Sequence, residues 1–272
     1  MRLTWEWSWE PVTLALIAVS AALYARGAAH MRLRNTLAFF GGLLTLFIAL
    51  ISPLDHLSEE LFSAHMVQHE LLIIIAAPLL VLGRPLIAFL WALPPACRVR
   101  VGHWMRTPPV AKSWRFISGP FVVTIVHAVA LWIWHLPSWY EATLRSDWIH
   151  ALQHSSFLIT AALFWWALIH GRYGRMGYGA AIVYVFVTAA HTGALGALIA
   201  LSPHLIYPIY SATTLKLGLN PIEDQQLAGI IMWIPAGVVM TTVAVALFAA
   251  WLGEAERRVA LTQSELLRKA KP

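Results

Sequence analysis

Charge is what this sequence has least of: Asp, Glu, Lys and Arg make up 12% of its 272 residues, against 59% hydrophobic residues. An average soluble domain carries roughly 25% charged residues, so a water-soluble globule is excluded and lipid is the expected solvent. Cysteine is nearly absent too. The single Cys97, beside Arg98, rules out an intramolecular disulfide and any metal clamp made of paired thiolates. A basic leader is also missing. The first apolar run follows Glu6, Glu10, Trp5, Trp7 and Trp9, which is unlike a cleavable signal, so this run is expected to be retained.

What is present is a succession of apolar runs, each near the roughly 20 residues that a helix needs to cross a hydrocarbon core. They read as spans over about 11–29, 35–51, 61–83, 120–138, 148–169, 180–201 and 226–251. The expected fold class is all-α, a polytopic membrane protein of seven transmembrane helices. Residues 1–253 form a single transmembrane domain and 254–272 a charged cytoplasmic tail, whose Leu266 and Leu267 belong to a short helix if one forms. Fourteen tryptophans, including Trp5, Trp7, Trp9, Trp132, Trp134, Trp139 and Trp148 at one boundary, match an interfacial aromatic belt.

A net charge of +6 would suggest nucleic acid in a soluble protein, but here the placement of charge decides. Arg26, Arg32 and Arg34 follow the first span; Arg84, Arg98, Arg100, Arg106, Lys112 and Arg115 follow the third. With Arg172, Arg175, Arg257, Arg258, Arg268, Lys269 and Lys271 they put 16 of the 19 Lys and Arg on one side, the cytoplasmic side by the positive-inside rule. No nucleic-acid partner is implied. The opposite loops carry Asp55, Glu59, Glu60, Glu141, Asp147, Glu223 and Asp224 against Arg145 and Lys216 alone. This alternation needs an odd number of spans, with the N-terminus outside and the C-terminus in the cytoplasm. The apolar stretch from Pro85 to Cys97 is too short to span and is expected in the membrane surface. The connection from Ser202 to Gln225, rich in Pro, Tyr and Asn, can fold over the outer mouth of the bundle.

Ionisable groups inside a span cost about 2.5–3.5 kcal/mol when charged at the centre, so they usually face the bundle interior and act there. Of the twelve histidines, only His30, His103 and His170 fall in cytoplasmic loops or span ends. Two pairs stand out among the rest: His65-Met-Val-Gln-His69 in the third span and His150-Ala-Leu-Gln-His154 in the fifth. Residues four apart share a helix face with Cβ atoms about 5–6 Å apart, so each pair is a two-point chelate. At 1.5 Å per residue, His69 and His154 lie roughly 12 Å and 9 Å inside their spans, at matching depth. Imidazole suits copper, zinc, iron and nickel. The competing reading is that these histidines are hydrogen-bonded packing residues.

Further residues are candidates for the same site. His191 lies in His191-Thr-Gly-Ala-Leu-Gly196, where the glycines permit close helix approach. His135, before Leu136 and Pro137, either reaches inward or caps the bundle. His127, eight residues earlier, is turned away by about 80° and needs a separate explanation. Asp224, at the start of the last span, is a ligand, an acceptor for a histidine N–H, or a helix cap. The expected metal set is therefore His65, His69, His150, His154, His191, His135 and Asp224. Glu70 points about 100° from His69, which leaves it a proton path or a helix contact.

Several motifs taken together resemble one family. They are His65-Met-Val-Gln-His69 leading to Ala77-Pro78 and Gly83-Arg-Pro85; Trp134-His135-Leu-Pro137 with Tyr140; His150 and His154 with Phe164-Trp165-Trp166; His191-Thr-Gly; and Asp224-Gln-Gln-Leu-Ala-Gly-Ile-Ile-Met-Trp-Ile-Pro235. The combination, over roughly 35–251, resembles the CtaG family of membrane-embedded cytochrome oxidase assembly factors. The resemblance implies a multi-pass protein of the bacterial plasma membrane that matures a haem-copper oxidase, handling copper for its copper centre. No enzymatic activity is expected. With no cysteine at the outer face, histidines and Met66 are left to hold the copper. The partners implied are an oxidase subunit in the same membrane, the bilayer, and a periplasmic copper carrier. Zinc or haem iron in place of copper, a haem-modifying membrane protein, and a metal or proton transporter are the alternatives.

Overall fold

The computed structural model describes residues 6–171 and 176–269, with side chains up to 263. Trp5, Arg172, Arg175 and Lys271 lie outside the described residues, as do the side chains of Leu266, Leu267, Arg268 and Lys269. Among the described residues there are helices and no strands. In chain order they are α1 (Pro11–Gly27), α2 (Leu33–Leu50), α3 (Pro53–Glu60), α4 (Phe62–Glu70), α5 (Ala77–Leu82), α6 (Pro85–Ala92), α7 (Pro95–Arg106), α8 (Pro108–Ile117), α9 (Pro120–Trp134), α10 (Pro137–Arg145), α11 (Asp147–His170), α12 (Tyr178–Ala200), α13 (Ser211–Lys216) and α14 (Pro221–Lys269). Proline sets many of the starts: α1, α3, α6, α7, α8, α9, α10 and α14 all begin on one, where its missing N–H costs nothing and its fixed φ suits the first turn.

Among the described residues, six stretches are long and apolar enough to cross a membrane: Pro11–His30, Leu33–Leu50, Phe62–Leu82, Asp147–His170, Tyr178–Ala200 and Pro221–Gln263. A seventh exists only if α8 and α9, bent by 55°, count as one. The fourth span is shorter than its sequence indicates, because α9 stops at Trp134. Pro137 forces the residue before it out of the helical region, and Leu136 is indeed extended, at φ −66° and ψ 131°. The 15 residues of α9 rise about 22 Å. The last helix goes the other way. Instead of a span and a separate tail helix, α14 continues unbroken through 254–269, with an Arg258–Glu254 ion pair on its exposed side.

The span Phe62–Leu82 is α in its first half, then a π turn over Leu71–Ala76, then α5. The wide register ends with Ala77 N–H bonding Leu72 C=O. The next donor would be Pro78, which has none, so the Ile73 carbonyl is left over. The Trp165 indole N–H fills it at 2.9 Å, tying α11 to the break.

Two apolar clusters divide the interior. One gathers Phe62, Met66, Leu131, Phe157, Phe164 and their neighbours from α4, α9, α11, α12 and α14; the other joins Tyr24, Phe39, Leu43, Leu46, Leu72 and Ala88 from α1, α2, the π turn and α6. In the larger cluster α12 and α14 touch backbone to backbone. A Cβ on Gly229 would sit 2.3 Å from Ala200 N, and one on Gly196 3.0 Å from the Gly229 carbonyl. The close approach expected of the His191–Gly196 segment is therefore made through Gly196. At the end where the acidic connections gather, Ser8 N–H donates to the Ile51 carbonyl at 3.0 Å, which places the chain ahead of α1 beside the α2–α3 turn. Trp7, Trp9, Trp132, Trp139 and Trp148 are exposed there, but Trp134 is buried and donates to Ser156 Oγ at 2.8 Å.

Candidate metal centre

The i,i+4 spacing does what helix geometry requires. The His65 and His69 rings stack along α4 with centroids 4.4 Å apart, and His150 and His154 along α11 at 4.2 Å. The fold then turns the two faces toward each other. Across the helices, His65 lies 5.2 Å from His150 and 5.6 Å from His154, and His69 lies 5.3 Å from His154. His65, His69 and His154 are buried and His150 half-buried. One ligand nitrogen each from His65, His150 and His154 falls within a common 4.8 Å. Metal–imidazole bonds of about 2.0 Å would hold two opposite nitrogens about 4 Å apart, so modest ring rotations bring this trio onto one ion.

His135 reaches inward. It follows the last residue of α9, its Nδ1 donates to the Leu131 carbonyl at 2.7 Å, and its ring lies 5.9 Å from His69. That bond fixes the tautomer and leaves Nε2 as a lone pair, buried and without a partner. Both nitrogens of His69 and Nε2 of His150 and His154 are also buried and unpartnered. Buried polar atoms normally find a hydrogen bond. Four such imidazoles in one layer form an uncharged donor set that suits a cation without a negative partner.

Asp224 takes no place in that set. Its carboxylate accepts from the Phe62 N–H at 2.9 Å, the Ser63 N–H at 3.3 Å and the Ser63 hydroxyl. Of the roles considered, capping is the one occupied, but on α4 rather than on its own α14. It satisfies free N–H groups in the first turn of α4 and places negative charge at the positive end of that helix dipole. His191 does not join either. Its ring lies on α12, 6.3 Å from His127, whose Nδ1 bonds Thr160 Oγ1 at 2.9 Å. His127 is eight residues below His135 on α9, about 12 Å along the axis, so these two form a separate, deeper layer. Met66 packs in the apolar cluster. Glu70 Oε2 is buried without a hydrogen-bond partner.

A family model described as cytochrome c oxidase caa3 assembly factor (Caa3_CtaG) matches residues 16–254. The chain belongs to this family. "Uncharacterized protein Mb0105" of Mycobacterium bovis and "Uncharacterized protein MT0111" of Mycobacterium tuberculosis are each 27% identical over 95% of this chain and 41% of their own length. "Uncharacterized protein ML1998" of Mycobacterium leprae is 26% identical over 83% of this chain and 35% of its own. The chain thus spans about two fifths or less of the length of these relatives. No solved structure matches it.

In this Caa3_CtaG chain, sequence reasoning missed the residues that roof the histidines. The connection after α12 does fold over them: Tyr207 and Tyr210 are buried, and Tyr210 hydroxyl lies 2.8 Å from the Tyr140 hydroxyl, 3.1 Å from the Ser58 carbonyl and 3.4 Å from His65 Nδ1. Tyr207 hydroxyl donates to the His135 carbonyl at 2.7 Å. Burial pushes all three phenols above their ordinary range, so they stay neutral. The only sequence signal was Tyr-Pro-Ile-Tyr in a long polar connection. The glutamines inside the two motifs were also informative: Gln153 Oε1 sits 3.3 Å from His65 Nε2, while Gln68 Nε2 donates to the Ala49 carbonyl and to Asp55 Oδ1, both at 2.7 Å. Their roles differ, so the motifs share chemistry rather than a common set of contacts.

Proposed function

We propose that this protein serves assembly of a haem-copper cytochrome oxidase as a carrier rather than an enzyme. It holds a copper ion at His65, His69, His150 and His154, with His135 at the edge, and passes it to an oxidase subunit in the same membrane. The observation that carries this reading is the convergence of imidazoles from α4 and α11 on one layer, in which His69, His150 and His154 keep buried nitrogens without partners, while His65 exchanges its contact with Gln153 or Tyr210 for the ion. Family membership supplies the oxidase; the donor chemistry supplies copper, for which neutral nitrogen ligands are well suited. The positive-inside rule puts the N-terminus outside, the C-terminus in the cytoplasm and the histidine layer near the outer face of a bacterial plasma membrane. A carrier must also release its cargo, and an all-imidazole set without a carboxylate or thiolate binds less tightly than an anionic one.

Element-resolved metal analysis of the purified wild type and of a variant with all four histidines changed to Ala tests the site: copper retained by the first and lost from the second is expected, and equal content overturns it. In a host lacking the gene, oxidase polypeptides are expected to be made but inactive when copper is limiting. Full activity there overturns the assembly role. An absorption spectrum of the same preparation tests the haem alternative, since bound haem would colour the protein.

A further inference from the structure

A cleft of about 650 Å³ is walled by α1 and the segment ahead of it, α2, α3 and α11, with the π turn, α5 and α6 contributing to its lining. Among the described residues its upper lining carries Glu10, Asp55, Glu59 and Asp147 and no lysine or arginine; lower down come His150 and His154, then leucines and phenylalanines including Leu46, Leu72 and Phe89. Asp147, His150 and His154 follow one another at i, i+3 and i+7 on α11, spacings that keep them on one face. They descend in steps of about 4.5 Å and 6 Å. Exposure falls along the same line: Asp147 is exposed, His150 half-buried and His154 buried. His154 Nε2 has no partner, and its residue is only 7% exposed.

We propose that this cleft is the inlet through which a hydrated cupric ion reaches the histidine layer from water; the inference rests on the copper reading above. Four carboxylates over low-dielectric walls focus a negative potential that concentrates cations at the mouth. The ion then exchanges bound water for His150 nitrogen and next for His154 nitrogen. No charge moves other than its own, and the displaced water leaves by the way the ion came. The apolar floor ends the hydrated path, so the ion stops at the imidazoles. Asp55 holds this rim to the ligand helix, since its Oδ1 accepts from Gln68, one residue before His69. Partial burial, and next the negative charge of Asp55, push the Glu59 carboxyl above its ordinary value, as expected of carboxylates gathered with too little positive charge. The same rim disfavours haem, whose propionates would meet these carboxylates.

The test uses the full chain in nanodiscs of uncharged lipid, mixed rapidly with cupric ion alone, with quenching of tryptophan emission giving the loading rate and metal content after desalting giving occupancy. For the wild type, loading is expected to slow as ionic strength rises from low to physiological. A double variant, Glu59→Gln with Asp147→Asn, is expected to load about tenfold more slowly at low salt, with weaker salt dependence. A wild-type rate that ignores salt, or a helical variant that loads as fast as wild type, overturns the inlet while leaving the copper site standing. A wild type that takes up no copper, or gives a Soret band with haem instead, overturns the copper reading and the inlet with it. Salt dependence of the wild type stands as a measurement even if the double variant does not insert.

Discussion

A histidine binds an ion only through a ring-nitrogen lone pair; His69, His150 and His154 keep buried nitrogens without partners, and His65 has to give up its contact with Gln153 or Tyr210. His65→Ala with His69→Ala removes the α4 half of the donor layer, and copper retention is expected to vanish while membrane insertion and helix content persist; unchanged metal content would remove α4 from the site. Tyr210→Phe deletes the hydroxyl shared among Tyr140, the Ser58 carbonyl and His65. Outer partners of this kind typically tune affinity 10–100-fold, so weaker copper binding with unchanged helicity is expected in equilibrium dialysis. Asp224→Ala strands the Phe62 and Ser63 N–H groups in a buried setting, a loss on the order of 1–3 kcal/mol, to be read as a lower unfolding midpoint. Copper retention should also fall on acidification, because a proton and the ion compete for the same imidazole lone pair. The histidine pairs were legible in the sequence because their spacing is local. That Asp224 would cap a helix 162 positions away in the chain, and that His191 would face His127, depended on which spans become neighbours.

At the scale of elements, the irregular half of the third span is the part the sequence hid. An unbroken apolar run with one proline reads as a regular helix or a kink, and nothing in Leu-Leu-Ile-Ile-Ile-Ala marks a π turn. Pro78 removes the donor, but only the indole of Trp165, 92 positions away, makes the widened register satisfiable. Trp165→Phe is therefore expected to destabilise the protein by about 1–3 kcal/mol through an unpaired buried carbonyl, measured as a shift in thermal unfolding. A change within about 0.3 kcal/mol would mean that the carbonyl finds another donor. The prolines that start eight helices act through their own φ; the starts near Pro11 and Pro120 were readable in the sequence, whereas the break at Pro137 was read as the inside of a span.

For the whole molecule, the order of spans brings the connections between α2 and α4, α9 and α11, and α12 and α14 to one end, and with them the carboxylate rim, the tyrosine roof and the imidazole layer. Reporter fusions at the N-terminal segment and after Gln263 test the orientation: outside and cytoplasmic, respectively, are expected, and the reverse would put the layer near the opposite face. The relatives extend well beyond the region this chain matches, and the histidine layer lies within residues 16–254, the stretch the family model matches.

By itself the sequence determined what depends on neighbours along the chain: the helical class, the apolar spans, the alternation of loop charge, and two histidine pairs each on its own helix face. Those follow from periodicity and from the cost of charge in lipid. Only the tertiary structure decided which faces meet. Packing of the π turn and α5 against α11 brought the two pairs into one layer, while packing α12 on α14 through Gly196 and Gly229 set His191 apart with His127. Contacts between distant segments are chosen by shape and by hydrogen-bond satisfaction over the whole bundle, and neither is written in local spacing.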